Sequence, residues 1–185
     1  MPRKISTAII QEQALVSLLT AAIEVYRKET YGLLVGSVKE SRYKSFITIK
    51  NAVTYQHAVR KEDEVFISPK QDDRLRYVIN YLSGCKILGE FHSHTCGIDY
   101  LSKHDVKDMI ESGIKFSLLI NVRPSEKKLD KKGKWHYDKK TKVLHGSIND
   151  AYKIMIKVYM REFGKKMVKK LKIDCPYIAK LNQEF

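Results

Sequence analysis

The segment that most limits what this chain can become runs from Gly89 to Asp105: Gly89-Glu90-Phe91-His92-Ser93-His94, seven further residues, then Ser102-Lys103-His104-Asp105. Its first part, from Cys85 to His94, is short, apolar and bounded by Gly84, the pattern of a central strand. Its last part opens a helix that runs to about Ser112 and stops at Gly113. Successive side chains alternate faces along a strand, so His92 and His94 project the same way and offer two imidazole nitrogens to one ion. Two neutral imidazoles plus one carboxylate make a common catalytic zinc set with a fourth position left open. Asp105, in the first turn of the helix and three residues beyond Ser102, is the candidate carboxylate. The spacing predicts one zinc per chain on His92, His94 and Asp105, and hydrolytic chemistry.

Hydrolysis also needs a proton acceptor and a hydrogen-bond donor for the developing oxyanion. Ser102 is the candidate donor. Two glutamates are candidates for the acceptor. Glu90 shares a strand face with both histidines, whereas Glu29 precedes the strand Tyr31-Gly32-Leu33-Leu34-Val35-Gly36 and needs the fold to bring it close. Spacing alone favours Glu90. Each signal also has a plainer reading. A lone His-x-His is commonly surface or satisfied core, and Ser102-x-x-Asp105 is also the pattern of a helix capping box. Glu29 could simply end the first helix, although a glutamate gains nothing from the dipole there. Cys96 stands two residues past His94, where a thiolate would reach a metal, but a free cysteine is usually a small packed residue. His104 points elsewhere on its helix, and His57, His136 and His145 have no ligand spacing to anything.

Glu29, the strand after it, His92-Ser93-His94, and Ser102 with Asp105 together resemble the JAMM metallopeptidases, also called MPN-plus or JAB domains. That family's pattern is an upstream Glu, then His-x-His, seven residues, Ser, two residues and Asp, and every position is filled here. The likeness covers roughly residues 26 to 122. It implies an α/β fold, a curved mixed β-sheet flanked by helices and related to the cytidine deaminase scaffold. It also implies zinc on His92, His94 and Asp105, Glu29 rather than Glu90 as general base, and Ser102 as oxyanion donor. The implied activity is that of a zinc isopeptidase or peptidase cutting the amide bond after the C-terminal tail of a ubiquitin-like or sulfur-carrier protein. Many members place proline after the second histidine and tryptophan near Glu90 or Phe91; here Thr95 follows and no tryptophan precedes. Neither position supplies a ligand, so the departures bear on substrate preference. Some relatives lack the ligands and act as non-catalytic scaffolds, which is the alternative reading.

With 185 residues, 43% of them hydrophobic, the chain is long enough to bury a core as one domain, so zinc is not needed as a folding staple. Cys85, Cys96 and Cys175 are odd in number and scattered, which argues against a disulfide framework and for a reducing cytoplasm. No signal core follows the N-terminus, and Ala14 to Ile23 is too short to span a bilayer. The formal net charge is +14, and the excess falls late: residues 126–142 carry eight lysines. That charge makes the C-terminal region a candidate surface for an acidic partner. No nucleic-acid motif accompanies it, and homo-oligomer formation stays open.

Along the chain, apolar periodicity predicts a helix from Ile9 to Arg27, and strands at Tyr31–Gly36, Phe46–Ile49 and Val65–Ile67 that share a sheet. A helix opened by Ser68-Pro69 and closed at Gly84 follows, with Leu75, Val78, Ile79 and Leu82 as its stripe. Beyond the site come a strand at Phe116–Val122, a hairpin over Trp135–Leu144, and a final helix over Ile148–Leu171 with Gly164 as its weak point. The apolar side of that last helix predicts docking on the sheet rather than on an anionic membrane.

Overall fold

Runs of β-branched and aromatic residues spaced in twos produce one large sheet, and the few stretches spaced in threes and fours produce the helices that cover it. The computed structural model describes residues 5–40, 45–56, 58–60, 65–82, 84–94, 98–125, 135–148, 151–162, 164 and 167–184. In chain order the elements are β1 (Ile5–Ile10), α1 (Glu12–Glu24), β2 (Tyr31–Glu40), β3 (Ser45–Thr54), β4 (Val59–Arg60), β5 (Val65–Phe66), α2 (Pro69–Leu82) and β6 (Lys86–His94). They continue as α3 (Lys103–Glu111), β7 (Phe116–Pro124), β8 (His136–Asp138), β9 (Val143–Ile148), β10 (Tyr152–Arg161), β11 (Val168–Lys170), β12 (Lys172–Asp174) and α4 (Tyr177–Glu184). Among the described residues, ten strands form a mixed sheet in the order β12-β1-β3-β2-β6-β7-β10-β9-β8, with β11 also on β10. The pairs β1–β12, β1–β3 and β6–β7 are parallel, and the sheet curls far enough for β12 to lie against β9 and β10.

The concave face holds the main core. Ala14, Leu15 and Leu18 of α1 pack with Phe91, Phe116, Ile120, Ile154 and Ile156, all buried, and α4 adds Ile178 and Leu181 at the margin. Phe91 and Phe116 are among the largest fully buried side chains, so truncating either to alanine is expected to cost about 3–5 kcal/mol. The outer face carries two smaller clusters. Leu33, Val35 and Tyr55 sit under Ile79 of α2, while Leu119 and Tyr159 sit under Met109 of α3 with Leu101. Between these two helices the sheet's outer face stays open. On the core face, close packing requires Gly32: a Cβ at that position would lie 2.4 Å from both the Phe91 ring and the Val53 carbonyl oxygen.

Three sequence expectations are corrected. The helix expected over Ile148–Leu171 is instead the strands β9, β10 and β11. Ile154, Ile156 and Val158 point into the core while Lys157 and Tyr159 are buried on the other face, and a strand covered on both sides is a continuous apolar run that also fits a helical stripe. The strand at Val65–Ile67 does not join Tyr31–Gly36 and Phe46–Ile49; β5 pairs with β4 in a separate two-stranded sheet. The first helix begins later than Ile9, because Ile5–Ile10 is consumed by β1 between β3 and β12. The strand at Phe116–Val122, the α2 helix and the hairpin of β8 with β9 appear where expected, while residues 126–134 of the lysine-rich stretch 126–142 lie outside the described residues.

Candidate metal centre

Alternation along β6 sends Phe91 into the core and sets Glu90, His92 and His94 on the outer face between α2 and α3. Antiparallel pairing places Tyr31 of β2 opposite His92. Ser93, between the two histidines, is fully buried and clamps the residue before Tyr31 twice: its N–H donates to the Thr30 carbonyl at 3.0 Å, and its Oγ accepts from the Thr30 N–H at 3.0 Å. This clamp brings Glu29, far away in sequence, to the ligand strand. Glu29 Oε1 lies 3.8 Å from His94 Nε2.

The third group comes from α3. Asp105 Oδ1 is 3.7 Å from His92 Nε2 and Oδ2 is 3.5 Å from His94 Nε2. Ser102 caps the same helix: its Oγ accepts from the Asp105 N–H at 3.1 Å, and Asp105 Oδ2 accepts from the Ser102 N–H at 2.6 Å. The capping box and the ligand set therefore share one carboxylate. The cap fixes the Asp105 side chain over the histidines, and Ser102, having spent an acceptor pair on the cap, keeps its hydroxyl hydrogen free to donate.

Ligand atoms of His92, His94 and Asp105 all lie within 4.8 Å of one another, and among the described residues this is the one such three-residue group. His92 Nε2 is buried with no hydrogen-bond partner, an orphan that a metal would satisfy. His94 Nδ1 faces the Ile98 carbonyl at 3.1 Å, which leaves Nε2 turned toward Asp105. Two imidazoles and one carboxylate with converging lone pairs fit a divalent ion of the zinc class. Electrostatics of the metal-free chain agree. Burial pushes the Asp105 carboxyl up, but the adjacent His92 and His94 imidazoles outweigh it and hold the group well below the usual carboxylate range. Burial likewise disfavours protonated His94, yet Asp105 and Glu29 together raise its pKa above the ordinary value.

The centre opens into a cleft of about 530 Å³ lined by Glu29, Glu90, Asp105, Asp108 and Glu111, an acidic hollow in a chain of net charge +14. The two candidate glutamates part company here. Burial raises the pKa of Glu90, against the hydrogen bond it accepts from the Tyr31 hydroxyl, whereas Glu29 stands against His94. His104 is exposed and pairs with Asp108 at 3.0 Å, away from the ligand set. His136 and His145, which have no ligand spacing in the sequence, are cross-strand neighbours with stacked rings 5.2 Å apart. Cys96 and His57 lie outside the described residues; Cys85 is half-buried and Cys175 buried. Ser93 and Tyr31 escaped sequence reasoning because only the β2–β6 register shows what they touch.

The family described as prokaryotic homologs of the JAB domain matches residues 11–134, more than half of the chain. The chain belongs to that family. No curated protein matches this JAB-domain chain. Among solved structures, it is similar to the solution structure of a protein from Desulfitobacterium hafniense, with a TM-score of 0.57 and 14% identity, covering 91% of this chain and 92% of that one. At that identity the likeness speaks for the fold, including the strands after residue 134. Among the described residues no helix is long and apolar enough to cross a membrane.

Proposed function

We propose that this JAB-domain chain is a zinc-dependent isopeptidase or peptidase of the cytoplasm, a single domain that hydrolyses the amide bond after the C-terminal tail of a ubiquitin-like or sulfur-carrier protein. One observation carries the reading: the ligand atoms of His92, His94 and Asp105 converge within 4.8 Å while Glu29 stands 3.8 Å from His94 Nε2. His92, His94 and Asp105 would hold the zinc, which when bound would supply Lewis acidity toward a carbonyl and a water ready to act as nucleophile near neutral pH. Glu29 takes the proton that water loses as it attacks and returns it to the departing amine nitrogen, so the C–N bond breaks with its proton count balanced. Ser102 donates its hydroxyl hydrogen to the oxygen of the tetrahedral species. The acidic cleft supports an amine on the leaving side, because Glu90, Asp108 and Glu111 favour the ammonium that a lysine side chain becomes once its amide is cut. The pairing of β1 with both β3 and β12 supports the single domain, since it joins the two ends of the chain in one sheet.

The test is a panel of ubiquitin-like and sulfur-carrier fusions, each with a cleavable C-terminal extension or lysine isopeptide, incubated with the protein with and without a chelator. Cleavage that needs zinc and fails in Glu29→Gln is expected. Undiminished cleavage by Glu29→Gln, or in excess chelator, would sink the proposal.

A further inference from the structure

Asn121 lies opposite His94 across the parallel β6–β7 pair and is buried, yet the hydrolytic set does not use it. Its amide orientation is dictated by its partners. Arg123 Nε–H, which only donates, lies 2.9 Å from Oδ1, while Nδ2 lies 2.9 Å from the Ile98 carbonyl oxygen and 3.4 Å from that of His94. The opposite flip would set N–H against N–H on one side and oxygen against two carbonyl oxygens on the other. The Ile98 carbonyl also meets His94 Nδ1 at 3.1 Å. In the neutral ring the closer contact, 3.1 Å to a carbonyl that only accepts, puts the hydrogen on Nδ1 and leaves the lone pair on Nε2, 3.5 Å from Asp105 Oδ2.

We propose that Asn121, oriented by Arg123, is a positioning residue that selects the metal-binding tautomer of His94 by holding the Ile98 carbonyl beneath its ring. Asn121 donates to carbonyls at both residue 94 and residue 98, so it fixes the ligand and the ligand's own partner together. Lys157 reinforces the arrangement from the neighbouring strand. It is buried, its Nζ lies 3.0 Å from Asp99 Oδ2, and it also donates to the Asp99 carbonyl, so the residue after Ile98 is tethered as well. Partners that orient a ligating imidazole through its second nitrogen typically change metal affinity about 10–100-fold when removed. The consequence for zinc rests on the metal-centre reading, whereas the tautomer is a property of the metal-free chain.

Two variants test it. Asn121→Asp keeps the shape but turns an acceptor toward Ile98. Arg123→Leu leaves Asn121 in place and removes the donor that fixes its flip; being half-buried, Arg123 is the change more easily absorbed by the fold. The imidazole ¹⁵N shifts of the full chain, metal-free and at a pH where His94 is neutral, report the tautomer directly. Wild type is expected to show Nδ1–H at His94, and both variants a shift toward Nε2–H, with zinc affinity measured against a competing chelator weakened about 10–100-fold. A His94 signature of Nε2–H in wild type, or of unchanged Nδ1–H in the folded variants, overturns the proposal. Absence of zinc binding by wild type would instead overturn the proposed function, leaving the ¹⁵N shifts to decide the role of Asn121. Should Asn121→Asp not fold, Arg123→Leu decides alone.

Discussion

The sheet carries two pairs of histidines whose rings are almost equally far apart, 5.0 Å for His92 and His94 and 5.2 Å for His136 and His145, yet they are chemically opposite. One row of the sheet even joins the second pair to His94, since His136, His145, Met155, Asn121 and His94 are successive cross-strand partners. The first pair is buried and faces carboxylates delivered by two other elements: Asp105 from α3 and Glu29 from the approach to β2. In the second pair the nearby carboxylate is spent, because Asp138 accepts from the backbone of Lys140 and from the Thr141 hydroxyl in the hairpin turn. Burial, His136 and the positive charge of Lys157 therefore lower the pKa of His145, although Asp138 works against them, while Asp105 and Glu29 raise that of His94. Two close imidazoles do not make a metal site. Carboxylates held against their ring nitrogens by other elements do.

The largest expected effect breaks that comparison outright. His92→Ala or His94→Ala should abolish zinc binding and hydrolysis, whereas His136→Ala and His145→Ala should leave one zinc per chain, as read by metal analysis of the purified protein. Zinc lost with His136→Ala would mean that the wrong pair has been chosen. Next comes Glu29→Gln, which should retain the metal and slow hydrolysis about 10²–10⁴-fold, the usual worth of a positioned proton acceptor. Ser102 allows a finer cut, because it both caps α3 and is the proposed oxyanion donor. Ser102→Gly should cost only a few tenths of about 1 kcal/mol in thermal stability, since glycine is a tolerable cap. It should nonetheless lower kcat about 10²–10³-fold. Full turnover in a folded Ser102→Gly chain would leave the serine as a cap alone.

How much of this could be read beforehand follows from distance along the chain. His92, His94 and Asp105 were legible because strand alternation and one helical turn are local geometry. Glu29 was one of two candidate acceptors and was preferred to Glu90 only through family resemblance, since what brings it in is the Thr30–Ser93 clamp. Asn121 and Arg123 were invisible for the same reason: a buried asparagine on an apolar strand has no signature until β6 and β7 are in register. The C-terminal third misled through its own success at burial. Ile154, Ile156 and Val158 face the core and Lys157 and Tyr159 are covered behind, so period two was hidden within an apolar run that a helix fits equally well. The lysine in that run was the overlooked sign. Its buried ammonium needs a partner on a fixed face, which Asp99 supplies at 3.0 Å.

The smallest expected effect is also the one that most directly contrasts the two pairs, because it depends on sign alone. In metal-free protein the raised pKa of His94 means that the folded chain holds that proton more tightly than the unfolded chain. Its contribution to stability is fully present below the unfolded value of about 6.5 and is lost as pH rises through the higher folded value. His145 runs the other way. Its folded pKa is lowered, so nothing is lost above the unfolded value, and stability declines as pH falls through about 6.5 toward the folded one. Chemical denaturation of metal-free protein at neutral and mildly acidic pH should therefore find His145→Gln gaining on wild type as pH falls, and His94→Gln falling behind it. Adding zinc should reverse only the second trend, because metal competes with the proton for His94 Nε2 and binding strengthens as pH rises. A zinc-bound chain whose stability followed the metal-free pH trend at His94 would show that the ion, wherever it binds, is not held by that imidazole.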